Sequence, residues 1–155
     1  MDTRTALRNA RALLHLHGLA AQGWTVKLDN ARTRAGQCRH RERVIQLSRY
    51  LTEAHTPDEV RNTVLHEIAH ALVGAGNGHN DVWRRKAIAI GCTGERTHNT
   101  RLEGRYVGTC PNGHEFGAHR MGKRIKAGSS CPTCNPGRYD ARYRLVWVDR
   151  GLQVR

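Results

Sequence analysis

Thr56-Pro57-Asp58-Glu59-Val60-Arg61-Asn62-Thr63-Val64-Leu65-His66-Glu67-Ile68-Ala69-His70 is the stretch that decides how this chain folds. Thr56 is a good N-cap, Pro57 suits the first helical position, and Glu59 completes a capping box with Thr56. Val60, Val64, Leu65, Ile68, Ala69 and Leu72 then recur at the spacing of a helix packed on one side. The glycine-rich run Gly74 to Gly78 stops it. Within this helix His66 and His70 are four residues apart, so their imidazoles stand one above the other. Such a pair can hold one zinc ion, with Glu67 reaching a nearby water as general base. Paired His and Glu on a helix can also be a solvated face, so the surroundings must decide.

A catalytic zinc usually takes three protein ligands and leaves one position for water. His79 follows the glycine run, nine residues past His70, where a flexible turn could swing it back over the helix. The rival third ligands are the carboxylates Asp81 and Glu95. Asp81 is better used as the N-cap of a second helix, Val82 to Ile90, which Gly91 closes.

A second metal pattern lies downstream. Cys131-Pro132-Thr133-Cys134 is a zinc-type knuckle, and Cys110 with His114 forms its partner across a tight turn. His119 is the alternative fourth ligand. A redox role for Cys131 and Cys134 would want a βαβ setting, which this segment lacks. A structural metal suits a segment too short for a large core. Of the five cysteines this leaves Cys38 and Cys92, expected as buried thiols. No signal-peptide-like run and no membrane-length apolar segment is seen, which with reduced thiols favours the cytoplasm.

The net charge is +13, unevenly spread. Residues 101–155 hold 11 Lys+Arg against 4 Asp+Glu, and residues 1–100 hold 15 against 9. Arg120, Lys123, Arg124 and Lys126 cluster between the two knuckles. A patch of this kind is what a nucleic-acid binder needs, since phosphate contacts dominate affinity. The plain alternative is a basic, soluble surface. Tyr106, Phe116, Tyr139, Tyr143 and Trp147 are interleaved with the charges; one or two could stack on unpaired bases, and the others would fill a ribbon core.

The remaining chain reads as scaffold. Residues 4–17 show helical spacing. Trp24, Val26 and Leu28 alternate as a half-buried strand, and Gly36 to Arg39 and Arg43 to Ser48 are further short strands around a charged turn. Periodicity is lost from Glu95 to Arg105, which divides the chain into residues 1–100 and 101–155.

Ala35-Gly36-Gln37-Cys38, Val44 to Ser48, Glu59 to His70, Gly78-His79 and Trp83 together resemble the SprT-like domain, the metallopeptidase domain shared with Spartan-type proteases. The likeness spans roughly residues 5 to 150. It differs from metzincins, which carry a glycine where this chain has Val73. The resemblance implies an α+β fold: a minimal zincin-like metalloprotease domain (helix, three short strands, the histidine helix, a second helix) followed by a small basic zinc ribbon. It implies one catalytic zinc on His66, His70 and His79, Glu67 as the base, and a structural zinc in the ribbon. It also implies DNA as partner, single-stranded or distorted, with DNA-bound or DNA-crosslinked proteins as substrates and a nucleoid-associated location in a bacterium or virus. By the same likeness Val44 to Ser48 is the candidate edge strand for a peptide. Arg49 or Tyr50 could then donate to the oxyanion. Two other functions stay open: a nucleic-acid-binding protein with an idle zincin half, and a peptidase unrelated to DNA.

Overall fold

The computed structural model describes residues 1–95 and 104–151. The chain divides into two compact units, Met1–Arg101 and Leu102–Arg155.

The first unit opens with α1 (Thr3–Leu16), whose N-cap Asp2 accepts from the backbone N–H groups of Arg4 and Thr5 at 2.9 and 3.1 Å. Its buried stripe is Ala6, Ala10, Leu13 and Leu14. β1 (Thr25–Asp29), β2 (Gly36–Arg39) and β3 (Val44–Ser48) follow. β1 runs parallel to β3 and β2 antiparallel to it, in the order β1-β3-β2. β3 is therefore the central strand, with Val44, Ile45, Leu47 and Ser48 buried. This corrects the expectation that Val44 to Ser48 lies at the edge. A strand hydrogen-bonded on both sides has no free ladder to offer, and the edge next to the long helix is β2.

A short helix, α2 (Arg49–Ala54), follows β3 directly. Ser48 caps it by accepting from Leu51 N–H at 3.0 Å while its own hydroxyl donates to Ala31 C=O at 2.6 Å. Next comes α3 (Pro57–Val73), with the capping box formed by Thr56 and Glu59 and with Pro57 in its first turn. Its buried residues Val60, Val64, Leu65, Glu67, Ile68 and Ala69 lie on more than one side, because α3 packs against α1, the sheet and α4 (Asp81–Ala89). The N-cap of α4 is Asn80, which accepts from Trp83 N–H at 3.1 Å, and Asp81 stands inside the first turn. That corrects the assignment of Asp81 as cap. An acid one place further on gains from the helix dipole instead. The core joins Leu13, Leu14, Trp24, Val26, Ile45, Leu47, Val64, Leu65, Ile68 and Trp83.

In the second unit β4 (Tyr106–Thr109) lies between β5 (Glu115–Ala118) and β6 (Val146–Asp149), all antiparallel. A four-residue helix, α5 (Lys123–Lys126), precedes the second knuckle. Cys110, Cys131 and Leu145 are buried, with Phe116, Cys134, Tyr143 and Trp147 packed on them. Trp147 lies across Gly108, where a Cβ would come 2.6 Å from the indole. No helix among the described residues is long and apolar enough to cross a membrane.

Candidate metal centres

His66 and His70 project from the same side of α3. The helix ends at Gly74, whose φ of 86° leaves the helical region. A single 3-10 turn, Ala75–Asn77, reverses the chain, tied by an Asn77 side-chain bond to Val73 C=O. Asn80 then starts α4, and His79 sits between turn and cap. Its Nε2 stands 2.9 Å from Nε2 of His66 and 3.1 Å from Nε2 of His70. The three nitrogens lie within 4.8 Å of one another. Two nitrogens bound tetrahedrally to one zinc at ~2.1 Å would be about 3.4 Å apart. The observed spacing is a few tenths of an ångström tighter, and the donor set fits a divalent ion.

Trp83 forms the floor. It is fully buried, and its ring centroid lies 4.6 Å from those of His66 and His79 and 5.2 Å from that of His70, nearly parallel to the last at 25°. Its Nε1 donates to His66 C=O at 3.5 Å. The resemblance includes Trp83 without giving it a role. Its place four residues after His79, on the inner face of a capped helix, is the signal that could have found it. Burial, then the charge of His79 and of His40, pushes His70 down to about 4, so its imidazole is neutral with a lone pair to give.

Glu67 faces away from solvent, 7 % exposed. Burial raises its carboxyl to about 7, opposed by the Cys38 backbone N–H and by the Arg34 charge. An acid held near neutrality is suited to take and return a proton.

Of the rival ligands, neither Asp81 nor Glu95 joins the three imidazoles. Tyr50, one candidate for the oxyanion, lies on α2 with the Arg32 guanidinium 4.5 Å above its ring. Arg49 opens the same helix. Cys38 is half-buried and Cys92 buried, and both are free thiols.

In the second unit Cys110, His114, Cys131 and Cys134 converge. His114 Nδ1 stands 3.6, 3.6 and 3.3 Å from the sulfurs of Cys110, Cys131 and Cys134. The sulfurs of Cys110 and Cys134 are 3.9 Å apart. Tetrahedral zinc with ~2.3 Å bonds to sulfur sets sulfurs about 3.8 Å apart, so these side chains fit a structural ion. Gly113, at φ 81°, closes the turn that brings His114 back to Cys110, with Cys110 N–H donating to His114 C=O at 3.1 Å. Cys134 N–H and Asn112 Nδ2 donate to sulfur at 3.4 and 3.3 Å. His119 is not in the group.

Arg120, Lys123, Arg124 and Lys126 are all exposed, and none forms an ion pair among the described residues. Arg105, Arg142 and Arg150 are instead paired with Asp149, Asp140 and Glu115. Phe116, Tyr143 and Trp147 pack on the core of the second unit, while Tyr139 is 59 % exposed.

The SprT-like family model matches residues 9–103, more than half of the chain, and the chain belongs to that family. Its first unit is thus a metalloprotease-like domain within an α+β chain. No curated protein and no solved structure matched the chain.

Proposed function

We propose that this protein is a zinc-dependent endopeptidase of zincin type, acting on proteins bound or crosslinked to DNA. The observation that carries the reading is the convergence of the three Nε2 atoms, with the buried carboxylate of Glu67 on the same helix as two of them. A purely structural metal site has no use for Glu67, whose burial costs stability, and acids with pKa values shifted by burial cluster at functional sites. His66, His70 and His79 would hold the catalytic zinc. When bound there, zinc supplies Lewis acidity that polarises a carbonyl and acidifies water. Glu67 takes a proton from the attacking water and hands it to the leaving amine. The edge strand β2 would receive an extended peptide through the backbone groups that neither β3 nor Glu67 engages, giving affinity with little side-chain selectivity.

The DNA half of the reading is supported by the exposed basic cluster in the same unit as a Cys3His site that would hold a structural zinc. A ribbon that binds nucleic acid raises the effective concentration of enzyme near DNA-bound protein. The test compares wild type with Glu67→Gln on a DNA-bound protein, with and without single-stranded DNA. Cleavage by wild type alone, stimulated by DNA, is expected. Equal rates without DNA would leave a peptidase unrelated to nucleic acid, and no cleavage by either protein would leave an idle zincin.

A further inference from the structure

Glu67 is a carboxylate set into a helix–sheet interface, and the strand opposite leaves it room. β2 turns Gly36 and Cys38 inward and exposes Gln37 and Arg39. Thr63 and Glu67, one turn apart on α3, face that strand. A Cβ on Gly36 would lie 2.8 Å from Cγ of Glu67, 2.8 Å from its Oε1, and 3.0 Å from Cγ2 of Thr63. Carbon atoms in good contact sit about 3.5–4.0 Å apart. Thr63 is held in place by its hydroxyl, which donates to Glu59 C=O at 2.9 Å. Gly36 is not among the glycines with positive φ. Its backbone is open to any residue, so space and not conformation excludes a side chain here.

We infer that Gly36 is a positioning residue for Glu67. The missing side chain at this place on β2 lets the carboxylate stand against the strand, next to the turn that carries His66, and a larger residue drives it off. This rests on the reading of Glu67 as the base.

The test is a double-mutant cycle on the full, zinc-loaded chain, crossing Gly36→Ala with Glu67→Ala and reading thermal stability together with zinc content. Alanine for glycine in a strand with ordinary backbone normally stabilises. Here it should lower Tm in the wild-type background and stop doing so once Glu67 is truncated, Thr63 being common to all four proteins. An equal Tm change in both backgrounds would overturn the proposal. In the catalytic arm, Gly36→Ala should lose about a hundredfold in kcat, as a misplaced group does, with KM and zinc content unchanged. Full kcat in Gly36→Ala would also overturn it, while leaving Glu67 as base. If wild type cleaves nothing yet the cycle shows coupling, the reading of Glu67 as base falls and the placement of its side chain by Gly36 stands.

Discussion

The Nε2 atoms of His66 and His79 stand 2.9 Å apart, although one side chain leaves the middle of α3 and the other comes from beyond its glycine exit. Two imidazoles on one helix fix only a line. The third, from a different element, makes a face on which an ion can sit. His79→Ala should therefore weaken zinc binding by more than the ~10–100-fold typical of outer partners of a metal ligand. Zinc content after gel filtration should fall by one ion per chain with helical ellipticity kept. Unchanged zinc would remove His79 from the site.

Glu67 gives the metal-free chain a stability that depends on pH. Its carboxyl is raised from 4.5 to about 7 by burial, so the folded state holds the proton longer than the unfolded state. Stability then falls as pH rises from 4.5 toward about 7, and the loss is complete above the folded value. Relative to wild type, Glu67→Gln should be stabilising by about 3 kcal/mol at pH values above that window and by nothing below it. Denaturant unfolding followed by helical ellipticity in the presence of a chelator measures this, and a pH-independent difference would contradict it.

Trp83 fills the space under three imidazoles and joins the core. Trp83→Ala should cost about 3–5 kcal/mol, the usual range for a buried aromatic. It should also lower zinc affinity, because His66 and His70 lose the surface that holds their rings. Trp83→Phe, which keeps the packing but drops the bond to His66 C=O, should cost less on both counts. A stability loss with unaltered zinc affinity would confine Trp83 to the core.

Lys123 and Arg124 should contribute to nucleic-acid affinity through charge alone. Changing both to Gln should reduce the salt dependence of single-strand binding by about 0.7 in slope per lost phosphate contact. Zinc content and cleavage of a DNA-free protein should not change. A slope equal to that of wild type would mean that the cluster does not touch phosphate.

The histidine helix was legible because its signals are local: a capping box, an apolar stripe and a glycine stop are all written within the segment that they shape. The pairing of Cys110 with His114 was legible for the same reason, one tight turn setting both. The order of the strands was not. β3 became central because β1 and β2 both pair with it, and pairings between distant segments leave little trace in either strand alone. α2 escaped because six residues carry too little periodicity, its cap being Ser48 at the end of a strand. Asn80 and Asp81 are both good caps. The extended backbone at Asn80, set by the turn that delivers His79, decides between them. The space between Gly36 and Glu67 is a fact of two elements meeting, invisible in either.

The two candidate centres differ in one respect that governs their chemistry under stress. The first is built from nitrogen only, and the nearby Cys38 thiol is pushed up to about 12 by burial and by Glu67, so it stays protonated and unreactive. The second uses three sulfurs. Peroxide and soft heavy metals react with thiolates in preference to imidazoles. Oxidative stress would thus empty the sulfur site while sparing the nitrogen site, so the two units would lose metal separately.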